Sequence, residues 1–404
     1  MRYSKYPSYR DSGVEWLGEI PEHWKVYRTM DISTLINGFP FDSNKFDVEN
    51  GTPLVRIRDI NKRVTAVRFN GIVPRVAEIS NDDILIGMDG DFNVSWWGGG
   101  NAALNQRVAC VRTQSKKFQR FIYYALPFNM QLINDLTYYT TVKHLSSNDI
   151  LKTRLALPSE SEILKIANYL DIATAKIDTL IEKQTKLIEL LKEKRQVVIS
   201  TAVNRGLDST VAMKDSGIEW LGEIPEHWDV KKFKYNARIQ GGKDQKEVLD
   251  DNGEYPVYGS GGIFGYANKY LYNGESVLFG RKGTVDKPLY VQGSFWTVDT
   301  MYYTILESIT VPKWFYYSAT TIRFDYYQYG SAVPSMTQED LHNIYFSTPS
   351  KEEQQKIINY LDEKTSKIDN LITKATKAID LLKEKRTALI SSAVTGKIDV
   401  RNAS

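Results

Sequence analysis

The chain repeats itself, and a repeat restricts architecture more than any other property of a sequence. Residues 11–24 read DSGVEWLGEIPEHW and residues 215–228 read DSGIEWLGEIPEHW, differing only at Val14/Ile218. A second, longer repeat begins PSESEILKIANYLDIATAKIDTLIEKQTKLIELLKEKRQ at Pro158 and PSKEEQQKIINYLDEKTSKIDNLITKATKAIDLLKEKRT at Pro349, with NYLD, KID, LI and LLKEKR in register. The segments between the repeats, 25–157 and 229–348, look nearly unrelated. Uniform drift after a duplication would not leave the frame so alike and the inserts so different. The pattern implies one frame presenting two different surfaces.

The second repeat has helical periodicity. In its first copy Ile166, Leu170, Ala173, Ile177, Leu180, Leu187, Leu191 and Val198 alternate in steps of four and three, an a/d seam, with Gln184 interrupting it. The second copy gives Ile357, Leu361, Ile368, Leu371, Ala375, Ala378, Leu382 and Leu389, with Lys364 at a core-type position. Ser159 with Glu162, and Ser350 with Glu353, fit capping boxes, and Gly206 and Gly396 fit helix stops. Roughly 40 residues make a rod of about 60 Å. Two such helices can pair antiparallel with each other, or each can pack on its own domain. The first is favoured because a long isolated two-faced helix has little else to bury against. Polar faces such as LLKEKR are ordinarily solvated; here they could also receive partner helices.

Both inserts read as α+β. LVRIRDI (54–60), DDILIGMDG (82–90) and LNQRVACV (104–111) predict strands, and KKFQRFIYYALPFNMQLINDL (116–136) a helix. In the second insert EYPVYGSGGIFGYANKYLY (254–272) predicts strands about a Gly-rich turn, and residues 275–305 a run of hairpins. The inserts are distantly alike: ILIGMDG (84–90) corresponds to VLFGRKG (277–283), and VKHLSSNDI (142–150) to VPSMTQEDL (333–341). Residues 25–157 carry a net charge of +5 and residues 229–348 of −1. The second insert therefore cannot hold a polyanion by gross charge and needs placed contacts.

Composition excludes several classes. The whole chain has net charge +3, so it is no polycation, and no stretch approaches the roughly 18–20 apolar residues of a membrane span. The first residues lack the apolar core of a signal peptide. The single cysteine, Cys110, fits a reducing cytoplasm. No P-loop is present, because the Gly-Lys pairs at 242–243 and 396–397 lead into Asp244 and Ile398. No Pro-Pro pair offers an adenine-methyltransferase motif, no Pro precedes Asp as in many nucleases, and one Cys with four scattered His makes no zinc finger. GSGGIFG (259–265) is followed by the strand-like YANKYLY, which favours a hairpin over a dinucleotide loop. The 25 Tyr and 8 Trp suit either interfaces or a Tyr-rich β core.

The duplicated EWLGEIPEHW motif, the duplicated NYLD…KID…LLKEKR helix and the two divergent inserts resemble the DNA-specificity subunits of Type I restriction-modification enzymes, over essentially the whole chain. PVYGSGGIFGY and GRKGT in the second insert, and ILIGMDGDFN and LNQRV in the first, resemble that family's target-recognition domains. The resemblance implies an α+β protein with a pseudo-twofold repeat: two globular α/β target-recognition domains joined by two long helices forming an antiparallel coiled coil. The expected domains are 1–157 and 207–348, each opening on the repeated motif, with the helices at 158–206 and 349–404. Each domain would read half of a bipartite site in double-stranded DNA, and half-sites about 34 Å apart would put both on one DNA face. The implied partners are two adenine methyltransferase subunits and restriction/translocase subunits. The chain itself would be non-catalytic, with S-adenosylmethionine, ATP and Mg on partner subunits only. A scaffold whose inserts bind protein and not DNA, and an enzyme acting on DNA by itself, are the alternatives; the absent motifs weigh against the latter.

DNA reading needs cations and amides on phosphates and planar polar groups on base edges. In the first insert these requirements select the turn Asp89–Asn93, then Asn105, Gln106 and Arg107, and the loop Lys143–His144. In the second they select Lys243, Tyr258, Ser260, Arg281, Lys282, Thr284 and Ser335. Trp96 and Trp97 could wedge at DNA or pack beneath their loop. His23 and His227, identical in both halves, cannot discriminate sequence and are expected to be structural.

Overall fold

The computed structural model describes residues 4–113, 115–136, 143–326 and 335–403. Val142 and the pair 333–334, which open the two matched phrases of the inserts, lie outside them. The chain divides into two compact units, one of Met1–Lys183 with Ala378–Ser404, the other of Gln184–Lys377. Each therefore contains one insert, one copy of the tryptophan motif and part of both long helices, Glu160–Arg205 and Lys351–Val394.

In the first unit the insert builds an antiparallel four-stranded sheet ordered Val94–Trp96, Ile84–Gly87, Val108–Thr113, Ser33–Asn37. A second, five-stranded sheet pairs Thr52–Val55 with Ala102–Leu104 in parallel. The expected strands 54–60 and 104–111 are thus shorter than their apolar runs suggest. Val55 ends the first, because Asp59 turns back on the Arg56 amide and guanidinium and closes a 3₁₀ turn. The second is broken at Asn105–Arg107, whose turn hands the chain from one sheet to the other. The helix Lys116–Leu136 lays Phe121, Ile122, Leu126 and Met130 onto the core.

The second unit repeats the plan. Leu289–Val291, Ser276–Gly280, Met301–Leu306 and Ala237–Gly241 form the equivalent antiparallel sheet in the same order. Tyr255–Gly259 lies parallel to Ser294–Thr297 in the other sheet. The Gly-rich run is the antiparallel hairpin Tyr255–Gly259/Gly262–Ala267, as its alternation predicts. Helix Pro312–Ala319 takes the place of Lys116–Leu136.

Within each unit the two long helices run antiparallel and are cross-linked by equivalent side chains. Arg386 Nε donates to Asp178 at 2.9 Å in the first unit, and Arg195 Nε to Asp369 at 3.0 Å in the second. The arginine is that of LLKEKR and the aspartate that of KID, so two phrases repeated in register are two ends of one bridge. Ile166, Leu170, Ile177, Leu191, Ile357, Leu361, Ile368 and Leu389 are buried, and Leu382 is half-buried. Leu180, Leu187 and Leu371, expected on the seam, are instead about half exposed. Their neighbours Ile181, Ile188 and Ile372 turn inward in their place, and Gln184 is half-buried between the first two. Steps of 177–181–184–188–191 satisfy the heptad as well as 177–180–184–187–191 does, and the partner surface chooses between them.

Each helix is clamped to its insert through the NYLD aspartate. Tyr124 Oη donates to Asp171 at 2.6 Å and Tyr317 Oη to Asp362 at 2.7 Å. Burial pushes the Tyr124 phenol up to about 12, and the adjacent Asp171 carboxylate adds to it. The helix starts differ. Ser350 and Glu353 form the capping box, the Glu353 amide donating to Ser350 Oγ at 3.3 Å and the Ser350 amide to Glu353 at 3.2 Å. At the other start Ser159 pairs with Ser161, and Glu162, which binds His23 and Trp24 as Glu353 binds His227 and Trp228, meets Arg401 instead of its serine. The sequence resemblance of the two caps hides this difference.

Candidate functional site

A tight turn follows one inner strand of each four-stranded sheet. In the first unit it is Met88–Asp89–Gly90 after Ile84–Gly87; in the second it is Arg281–Lys282–Gly283 after Ser276–Gly280. Gly90 (φ 77°) and Gly283 (φ 83°) occupy the left-handed region, which a residue without Cβ adopts at least cost. The two turns are held by the same main-chain bonds. Met88 and Arg281 receive the amides of Leu145 and Met336, at 2.7 and 3.0 Å, and donate their own to Arg107 and Thr300, at 3.0 and 2.8 Å. Asp89 bridges His144 and Lys282 bridges Ser335 at equivalent register.

The first unit brings together all seven of its sequence-selected residues, which are scattered over 56 positions (89–144) of chain. Asp89 is gripped by Arg107 at 3.0 Å and by His144 Nδ1 at 2.7 Å. The Asn93 carbonyl accepts the Gly87 amide and the Lys143 carbonyl accepts that of Gly90. Asn105 bridges Phe39, and the Gln106 amide donates to the Phe39 carbonyl. Asn93, Gln106, Arg107 and His144 are exposed. Lys143 is not turned outward with them: its Nζ donates to the Asn134 carbonyl and Oδ1 at the end of the 116–136 helix, at 2.9 and 2.7 Å.

The second unit also gathers its seven. Tyr258 pairs with Thr297, whose carbonyl accepts the Lys243 amide. A methyl group on Gly283 would lie 3.6 Å from Ser260 Oγ, so the hairpin tip and the RKG turn adjoin. The Thr284 carbonyl sits so close to Gly280 that a side chain there would collide with it. Arg281, Lys282 and Lys243 are exposed, and no ion pair engages them among the described residues. The result is a cationic turn on a unit with no net positive charge, flanked by a hairpin that exposes Ile263, Phe264 and Tyr266. Those three apolar residues were not selected from the sequence; the alternating GIFGYA run on a solvent-facing hairpin is the signal that could have found them.

Trp97 is buried, its indole donating to the Gly100 carbonyl at 2.7 Å, and Trp96 lies under the Arg120 guanidinium at 4.5 Å. Trp97 packs beneath the loop, whereas Trp96 packs on Arg120 and Tyr123 of the helix. His23 Nε2 contacts Glu162 at 2.9 Å and His227 Nε2 contacts Glu353 at 2.7 Å, each beside a buried tryptophan that shares the carboxylate. Among the described residues no cluster of His, Cys, Asp and Glu is arranged to hold a metal ion, and no helix is long and apolar enough to cross a membrane.

The family model described as the Type I restriction modification DNA specificity domain matches residues 21–190 and 225–380. The Type I restriction enzyme EcoBI specificity subunit of Escherichia coli is 35% identical over 224 residues, covering 54% of this chain and 47% of that protein. The MjaVIII specificity subunit of Methanocaldococcus jannaschii is 25% identical over 226 residues, covering 55% and 51%. The chain thus spans about half the length of these curated relatives. A solved chain from a study of assembly and conformational transition in the type I R-M system superposes with TM-score 0.70 at 14% identity, covering 93% of this chain and 98% of its own. That likeness concerns the fold.

Proposed function

Because the chain belongs to the Type I restriction modification DNA specificity family, we propose that it reads a bipartite site in double-stranded DNA, one half with each insert. The recognition domains are assigned to 1–157 and 207–348, and the segments 158–206 and 349–404, which carry the long helices Glu160–Arg205 and Lys351–Val394, to the frame that sets their spacing. One observation carries the reading: residues selected for base and phosphate chemistry, dispersed in sequence, converge in each unit on the same turn, while their identities differ between units. A fixed backbone with exchanged side chains is what two half-sites of different sequence require.

In the second unit Arg281, Lys282 and Lys243 serve as phosphate or guanine contacts, with Ser260, Thr284, Ser335 and Tyr258 beside them. In the first, Arg107, His144, Asn93, Asn105 and Gln106 take these roles. Asp89 neutralises Arg107 and orients both it and His144, or accepts from a cytosine amino group. Lys143 buttresses the turn through Asn134. The frame would hold two adenine methyltransferase subunits and admit restriction/translocase subunits, which bring S-adenosylmethionine, ATP and Mg.

Co-expression with an adenine methyltransferase subunit of the same system, followed by genome-wide mapping of methylated adenine, tests the proposal. One motif of two short blocks with a fixed gap is expected. A stable purified complex that methylates nothing would instead favour a protein-binding scaffold.

A further inference from the structure

The two tryptophan motifs are nearly identical and both tryptophans are buried, yet only the first has a tyrosine ring packed over it. In the first unit Tyr6 is buried with its ring 5.8 Å from those of Trp24 and His23, and the Arg401 guanidinium stands 4.8 Å from it. Pairing of Tyr9 with Pro21 in one unit and of Met213 with Pro225 in the other aligns the preceding residues, so Thr210 stands where Tyr6 stands. Thr210 is exposed and closed on itself, its amide and hydroxyl both bonded to Asp208. It cannot reach Trp228. A cavity of about 200 Å³ lies beside Trp228, with Leu207, Val211, Pro225 and Ile357 on its apolar wall and Glu353, His227 and Lys356 at its polar end. The Glu353 side chain is 31% exposed against 5% for Glu162.

We propose that this cavity is a binding site for the side chain of a tyrosine carried by another polypeptide. Its ring would meet Trp228 edge-on, as Tyr6 meets Trp24 at an interplanar angle of 73°. Its hydroxyl would face the Glu353 carboxylate. An apolar cavity of roughly 150 Å³ already admits a benzene ring, and tyrosine combines a large apolar face with one donor at its tip. The cavity is continuous, through Arg205, Gly206, Leu207 and Asp208, with a second hollow of about 470 Å³ that reaches Met213 and Tyr360. A lone phenol fills only the first part; the main chain flanking a tyrosine accounts for the second. The inference uses neither insert and stands apart from DNA reading.

The full chain alone, without DNA or other subunits, is titrated with N-acetyltyrosinamide, N-acetylphenylalaninamide and p-cresol by ligand-observed NMR. Saturable single-site binding of N-acetyltyrosinamide is expected, several-fold tighter than the phenylalanine analogue because a charged acceptor faces the hydroxyl. Thr210→Tyr, which supplies the ring internally, and Val211→Trp, which fills the cavity from its wall, should each weaken binding at least tenfold while circular dichroism remains that of the parent. Absence of saturable binding, binding of p-cresol alone, or binding unchanged in both folded variants would overturn the site. Failure of the methylation experiment with this binding intact would count against DNA reading only.

Discussion

At one turn the two units carry opposite charge. Asp89 in the first faces Arg107 and His144; Lys282 in the second stands beside Arg281, with Asp299 on the facing loop near the place of Arg107. The backbone does not register the reversal, since the same main-chain amides and carbonyls hold both turns. Main-chain bonding tolerates any side chain that fits the left-handed glycine after it, so the turn is a socket whose contents are free to change. The tryptophan motifs teach the converse. There the side chains are identical, and the surroundings differ: Glu162 is sealed by Tyr6 and Arg401, whereas Glu353 is left open and caps its helix through Ser350.

The largest expected effect separates the two carboxylates. Glu162→Ala and Glu353→Ala each leave a buried indole, that of Trp24 or Trp228, without an acceptor, and the sealed Glu162 should cost more, about 3 kcal/mol of stability against about 2 kcal/mol for the part-exposed Glu353. Urea unfolding followed by tryptophan fluorescence measures both, and equal costs would erase the distinction drawn between sealed and open motifs.

Next come the turns. Arg281→Ala with Lys282→Ala should weaken DNA binding about 10–100-fold and reduce the salt-dependence slope by about two, one contact per cation. In the first unit Arg107→Ala should weaken binding by more than one phosphate contact is worth, because it also unmasks Asp89. Adding Asp89→Asn should restore part of the loss. Fluorescence anisotropy across a salt series reads these effects, and a double variant no better than Arg107→Ala would show that Asp89 repels nothing.

Acid distinguishes the open motif further. Burial pushes the Glu353 carboxyl up, but the bonds from His227, Ser350 and Trp228 outweigh it and hold the group down at about 2. A depressed carboxyl stabilises the fold above its unfolded value near 4.5, and the contribution vanishes as pH falls from there to 2. Roughly 1–2 kcal/mol should be lost over that window after allowing for partial exposure, and Glu353→Gln should flatten it. A parent and variant with parallel acid profiles would contradict the assignment.

The smallest effect concerns the helices. Leu180→Lys and Leu187→Lys place a charge where the side chain already meets water, and each should change stability by less than about 0.5 kcal/mol. A cost several times larger would mean that the seam runs through the leucines after all.

How much of this was legible varies with the kind of signal. The helical repeat, the strands 84–87 and 276–280, and the correspondence of ILIGMDG with VLFGRKG were readable because periodicity and turn glycines are local properties. The choice of Ile181 over Leu180 was not, because both satisfy a 3.5-residue repeat and only the opposing surface distinguishes them. The same holds for Lys143: its charge nominated it for a ligand, and its bonds to Asn134 appear only in the fold. The function of KID and LLKEKR was visible as repetition alone; that they face each other across two antiparallel helices was not.

By itself the sequence determined the elements and their duplication, because helix phase, strand alternation and left-handed glycines depend on neighbours within a few residues. Tertiary structure decided what those elements share. It gathered residues from 39 to 144 at one turn and from 243 to 335 at the other, joined Arg195 to Asp369 and Arg386 to Asp178, and set Tyr6 over one tryptophan motif while leaving a cavity beside its copy. Each of those outcomes depends on atoms far apart in the chain meeting within a few ångströms, a relation that only the folded core imposes.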